Sequence, residues 1–282
     1  MKVLDCETTD STYNSLEQIL GTSRSRLKSV FEAVDVERFY QDNPRHPQPP
    51  EDLVFSEMRK VATLAGNYDR TYWFHLTRTA PTNKFEQGIL PLGQCLDSIW
   101  EYLYSLARKQ VSPEEWAQFR RDMGTHHHAG LYGMKASDPM HWGPYALLTR
   151  DHAFNSEEIG NHDYLAAPEI VEDICICFTE KHGFDLLAAF MKKTRPCVVK
   201  FFDGPRDGCV QTAVYHLYNA HRGQRCSMQC NTCYDGEGVS VPPERIMKVE
   251  FPTYRKRRRK RMSADAAAAS CQRHVKDLFD AV

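Results

Sequence analysis

No stretch of the chain approaches the run of about 18 apolar residues that a membrane-spanning helix needs, which argues against insertion in a membrane. An excess of charge of either sign is missing too: 36 Lys and Arg stand against 37 Asp and Glu in 282 residues, a net charge of −1. The chain as a whole therefore exerts no general pull on nucleic acid. No internal repeat is visible. Met1 to Asp10 is acidic and lacks an apolar core, so this segment is not expected to be a signal peptide. The 10 cysteines lack the spacing of a small secreted framework. Cys6, Cys95, Cys175, Cys177 and Cys197 stand singly or in apolar segments and read as buried thiols, and a cytoplasmic location is expected. What is present is an ordinary globular composition, 41% hydrophobic and 26% charged. It excludes a chain disordered throughout and allows one substantial core with a small second module.

Along the chain, residues 1–66 read as a helical segment of separate character. Leu16, Ile19 and Leu20, then Leu27, Val30 and Phe31, recur at helical spacing, with Thr22 or Ser23 as N-cap. The proline-rich stretch 43–50 cannot be helical, and Glu51 and Asp52 start another helix with acid at its positive end. Residues 67–252 mix strands and helices. An apolar face of Leu96, Ile99, Trp100, Leu103 and Leu106 predicts a helix over 94–109, and Ser112-Pro113-Glu114-Glu115 is a strong helix start. Short strands are expected at 146–149, 197–202, 239–241 and 246–251, with helices over 168–181 and 184–191. Unequal helical insertions between strands predict an α+β fold rather than a repeating βαβ unit. Residues 253–282 form a basic tail in which Arg255 to Arg261 is uninterrupted positive charge.

The segment most suggestive of chemistry is Tyr72-Trp73-Phe74-His75-Leu76-Thr77-Arg78-Thr79, followed by Phe85-Glu86-Gln87-Gly88-Ile89-Leu90. It is aromatic and β-prone, and alternation puts His75 and Thr77 on one face with Phe74 and Leu76 on the other. A polar pair on an apolar strand is a common way to line a small-molecule cleft. These residues resemble the opening NAD-binding motif of ADP-ribosyltransferases of the His-Tyr-Glu type, the poly(ADP-ribose) polymerase-like branch. Leu76 stands where that family has a glycine, and its backbone N–H and C=O remain available for the same contact.

A second element that resembles the family is Gly130-Leu131-Tyr132-Gly133 with Ser137 and Tyr145 beyond it, where a Gly-x-Tyr strand leads through a serine to a tyrosine. Stacking a cationic pyridinium on that ring is physically sensible. Tyr145 matches by its place after the serine, and Tyr132 is the alternative. The third is Asp235-Gly236-Glu237-Gly238 before Val239-Ser240-Val241, with Ile246 about nine residues on, as in the family's catalytic glutamate strand. Glu244 competes with Glu237 but falls inside the turn. The resemblance covers residues 70–252 and implies a split β-sheet core with helical insertions. It also implies a set of roles. His75 would bond a ribose hydroxyl, Thr77 would seat the nicotinamide riboside, and Arg78 would reach the pyrophosphate. Tyr145 would stack on the nicotinamide, and Glu237 would favour the oxocarbenium-like transition state and accept the nucleophile's proton.

Other signals stand apart. Cys226, Cys230 and Cys233, with His221 as the nearest fourth ligand, can hold one structural zinc. Free thiols are the plain alternative, and an iron–sulfur motif fits poorly so late in a chain. His126 to His128 point in different directions and read as a loop, while Glu169, Glu172 and Asp173 read as the solvated face of a helix. The basic run 255–261 suits a phosphate backbone or an acidic protein, or is a solvated tail. The resulting expectation is a cytoplasmic transferase that moves ADP-ribose from NAD to a macromolecular acceptor, nucleic acid before protein. A toxin-like or phage-defence role with a neutralising antitoxin partner would suit it. The rival is a non-enzymatic, zinc-stabilised nucleic-acid adaptor.

Overall fold

Short polar residues and prolines set where the helices begin. The computed structural model describes residues 1–64, 67–125, 130–156, 159–224 and 227–254. After β1 (Val3–Leu4), Thr8 caps α1 (Thr9–Leu20) and Ser23 caps α2 (Arg24–Ala33), each hydroxyl accepting a backbone N–H three residues on. Asp35 caps α3 (Val36–Asp42), and α4 (Pro50–Arg59) opens on Pro50. The aromatic segment forms β2 (Arg70–Thr79), followed by α5 (Leu92–Ala107). Ser112 and Glu115 close a capping box on α6 (Pro113–Asp122). Then come α7 (Gly130–Ser137), β3 (Tyr145–Leu147), α8 (Glu169–His182), α9 (Leu186–Lys193) and β4 (Arg195–Asp203). The last elements are α10 (Cys209–His221), β5 (Cys233–Asp235) and β6 (Ile246–Glu250).

The sheet runs β5-β3-β2-β4-β6 with antiparallel neighbours, and β1 adds to β2 in parallel at Val3↔Arg70. β2 and β4 pair along nearly their whole length, from Thr71↔Asp203 to Thr79↔Arg195. One core lies between the sheet and α1, α2, α4 and α10, built on Leu16, Phe31, Val54, Trp73, Val199 and Leu217. A second lies within the helical half, where Trp100, Trp116, Phe119 and Phe178 pack among α5 to α9. Each large side chain so buried contributes about 1.5–3 kcal/mol before the entropy of ordering it. The fold is α+β, as the unequal helical insertions between strands indicated. Among the described residues no helix is long and apolar enough to cross a membrane.

Three local expectations are corrected. Residues 1–66 are no separate module: α1, α2 and α4 share the first core with Trp73 and α10, and residues 1–252 cluster as one unit. The Gly-x-Tyr segment is the helix α7, not a strand, because Tyr132 and Ala136 at helical spacing pack into the second core. Val239 to Val241 makes only an isolated bridge, Val241↔Ile89. The helix α10 went unseen behind its Cys and His residues. Val210, Ala213, Val214, Leu217 and Tyr218 give it a buried stripe.

Candidate functional site

The carboxyl-terminal half of β2 opens into a cleft of about 1080 Å³, walled by α5 and α7, the loop after β2, and the segments before β3 and α8. His75, Leu76, Thr77 and Arg78 all line it, because the cleft wraps the end of the strand and meets both of its faces. The His75 Nδ1 lies 2.8 Å from the Tyr145 carbonyl oxygen. A carbonyl only accepts, so Nδ1 carries the proton, and a neutral ring then has Nε2 as a bare acceptor. Burial keeps the ring neutral by lowering its pKa, against the opposing effect of that hydrogen bond. Such a histidine accepts a hydroxyl from a ligand.

Tyr145 itself is 40% exposed, lines the cleft, and donates its hydroxyl to the Met140 carbonyl at 2.8 Å. Trp142 and Lys135 also belong to the lining. The ring of Trp142 lies so close to Gly93 that a Cβ there would approach it to 2.5 Å.

The segment Asp235 to Val241 is docked on this wall. Asp235 pairs with Tyr145, the Gly236 N–H donates to the Pro144 carbonyl at 3.0 Å, and the Gly238 N–H to the Gly143 carbonyl at 2.7 Å. Glu237 takes a left-handed conformation, φ 52°, with its N–H on Asp235 Oδ1 at 2.8 Å. The Phe-x-x-Gly-Ile-Leu motif meets the same segment: Ile89 and Val241 exchange both backbone hydrogen bonds, at 2.9 and 3.0 Å. Gly88 is indispensable there, since φ is +80° and a Cβ would stand 2.0 Å from the Val241 oxygen. The fold thus brings the histidine, tyrosine and glutamate segments side by side. The Glu237 side chain, however, is exposed and is not among the residues lining the cleft.

Other sequence-derived site residues have different surroundings. Tyr132 is buried in the second core, its hydroxyl accepting from Trp100 Nε1 at 3.0 Å, and does not line the cleft. Arg78 lines the cleft, but its guanidinium is committed: it donates to Thr194 Oγ1 and to the carbonyls of Leu165, Met191 and Thr194 at 2.9–3.1 Å. Reaching a pyrophosphate would strip those acceptors, so its observed role is to tie β2 to α9. Arg78→Met is expected to destabilise the fold by about 2–4 kcal/mol, read as a lower urea midpoint, because buried carbonyls lose their donors. A midpoint equal to that of the wild type would contradict this role.

The metal expectation divides in the same way. His221 Nε2 stands 3.7 Å from Glu32, Cys230 is buried in the first core with Sγ 3.6 Å from the Ser227 hydroxyl, and Cys233 lines the cleft. Burial pushes the thiol pKa values of Cys230 and Cys233 up. Among the described residues no three His, Cys, Asp or Glu side chains gather around a metal position. Cys226, His126 to His128 and the basic run 255–261 lie outside the described residues. His216 is buried beside His152, ring centroids 6.3 Å apart, and neither Nδ1 has a hydrogen-bond partner. Burial lowers both rings, His216 to about 4.

The residue that sequence reasoning misread is Glu169. It is no solvated charge: it lines the cleft, accepts from the Tyr164 hydroxyl at 3.1 Å, and pairs with Lys135 Nζ at 2.8 Å. Asp173 pairs with the same ammonium at 3.0 Å. Burial alone would raise the Glu169 pKa, but Lys135 beside it brings the net shift below the ordinary value. Its one local signal was Pro168 at the mouth of a helix, too common to single it out. Comparison of the chain with protein-family models, with curated proteins and with solved structures returns no match.

Proposed function

We propose that this chain is an ADP-ribosyltransferase that moves ADP-ribose from NAD to a macromolecular acceptor and releases nicotinamide, with nucleic acid favoured over protein. The observation that carries this reading is the half-exposed Tyr145 ring beside a neutral, cleft-lining His75 whose orientation Tyr145 itself fixes. An aromatic face suits the nicotinamide cation, and a bare imidazole nitrogen suits a ribose hydroxyl. Thr77 adds a hydroxyl for the riboside. Glu237, exposed on the turn joined to the Tyr145 segment, suits acceptance of the proton that the attacking group gives up. The basic run 255–261 favours a phosphate-bearing acceptor. A toxin-like or defence role and a cytoplasmic setting belong to the same proposal.

The test is incubation with labelled NAD and mixed RNA, DNA and protein. Label is expected in one acceptor class, with nicotinamide released in equal amount. His75→Ala is expected to weaken NAD binding by about 1–3 kcal/mol, the loss of a buried hydrogen bond, as measured by calorimetry. Unchanged affinity in a folded variant would return His75 to the role of a structural residue.

A further inference from the structure

Cleavage of a nicotinamide riboside bond develops positive charge at the ribosyl carbon, so an ionised carboxylate inside the cleft would stabilise its transition state. Glu237 is outside the lining, exposed on a turn whose Gly236 and Gly238 bond Pro144 and Gly143. Glu169, the first residue of α8, is inside it. Resting on the NAD reading above, we propose that Glu169 is the catalytic carboxylate facing the ribosyl cation, with Lys135 and Tyr164 as its positioning residues.

The geometry around Glu169 suits that task. Each oxygen already has one donor, Tyr164 Oη at 3.1 Å and Lys135 Nζ at 2.8 Å, which fixes the rotamer while leaving further lone pairs. Lys135 does not neutralise the wall, because Asp173 shares its ammonium at 3.0 Å. One cation between two carboxylates leaves a local charge of −1 beside the space a pyridinium riboside would fill. Lys135 and Asp173 are 14% and 16% exposed and Glu169 34%, so water screens that charge only in part. Tyr164 is held in turn by the His162 ring at 4.7 Å, whose Nε2 bonds the Ala167 carbonyl at 2.7 Å. Arg78 bonds the Leu165 carbonyl of the same loop. Burial, with Asp235, Asp138 and Glu169 nearby, pushes the Tyr145 phenol pKa up.

The step balances without any oxidant or reductant. The bond from C1′ to the pyridinium nitrogen breaks with its electron pair on nitrogen, and nicotinamide leaves neutral. A lone pair of the acceptor forms the new C1′ bond, and the acceptor's proton passes by way of Glu237 to solvent. Glu169 stays ionised throughout and stabilises the charge without forming a bond.

The test compares NAD consumption by the full-length wild-type chain with that of Glu169→Gln, Lys135→Met and Tyr164→Phe, and records NAD affinity and unfolding temperature alongside. Glu169→Gln keeps the shape, and its kcat is expected to fall by about a hundredfold or more with NAD affinity within about threefold. Lys135→Met removes the cation that holds Glu169 ionised, so the acidic limb of its kcat profile is expected to move up by about one pH unit. Tyr164→Phe leaves the carboxylate in place and is expected to move the limb the same way by less, which serves if Glu169→Gln does not fold. A Glu169→Gln variant with kcat near wild type, one that loses only affinity, or an unmoved limb in Lys135→Met overturns the assignment but leaves the NAD reading standing. A wild-type chain that neither binds nor consumes NAD overturns both.

Discussion

Glu237→Gln is expected to lower transfer to the acceptor by about a hundredfold, with NAD binding largely retained. Gln keeps the size and most of the hydrogen bonding, and the turn that carries residue 237 is held by backbone bonds of Gly236 and Gly238 that do not involve the side chain. What disappears is the negative charge able to take the acceptor's proton. Because the Glu237 side chain is exposed and outside the cleft lining, slow loss of NAD to water should survive in this variant. That separates it from a carboxylate acting on the ribosyl carbon. An active Gln variant would sink the assignment. Parallel loss in Glu244→Gln would point instead to the neighbour, which lies exposed on the turn between Pro243 and Arg245.

The second large effect concerns stability. Lys200→Met is expected to cost about 3–5 kcal/mol, because it leaves half-buried Asp5 without its cation and Glu7 with Lys248 alone. Lys200 sits opposite Phe74 on β4, 8% exposed, with Nζ 2.8 Å from both Asp5 Oδ2 and Glu7 Oε2 and 4.4 Å from the Tyr72 ring centre. The two acids follow β1, so the substitution loosens the attachment of the amino-terminal segment to the sheet. Burial alone would raise the Glu7 pKa, but hydrogen bonds from Lys200 and Lys248 outweigh it, and the net shift is downward. A carboxylate with a lowered folded value contributes stability above its unfolded value, about 4.3, and loses it as pH falls through the folded one. Urea unfolding at neutral pH should therefore show the full penalty, and the penalty should shrink below about pH 4. A variant as stable as wild type at neutral pH would contradict the argument.

Local signals account for most of what could be read before any coordinates. Alternation and aromatic content located β2. The Leu96-to-Leu106 stripe located α5 within two residues, and the Ser112 capping box located α6. Those features act within a few residues, so they survive any tertiary context. The Gly-x-Tyr segment did not: so short a stretch fits a strand or a helix, and Tyr132 settled on the helix by packing against Trp100, which lies 32 positions away in sequence. Cysteine spacing was equally ambiguous. Cys230 and Cys233 stand three residues apart, yet a 3-10 turn and then β5 send one into the core and the other to the cleft.

By itself the sequence determined the α+β class and the capped helices, because each rests on periodicity, capping or residue type. Only the tertiary structure decided which charges face one another. Arg78 turned from a prospective ligand contact into a brace because three carbonyls and a hydroxyl converge on its guanidinium from α9 and the loop before α8. Glu169 turned from a solvated charge into a cleft residue because α7 packs against α8 and lays Lys135 beside it. Electrostatic partners separated by tens of residues depend on helix packing, and no local pattern in the chain encodes that.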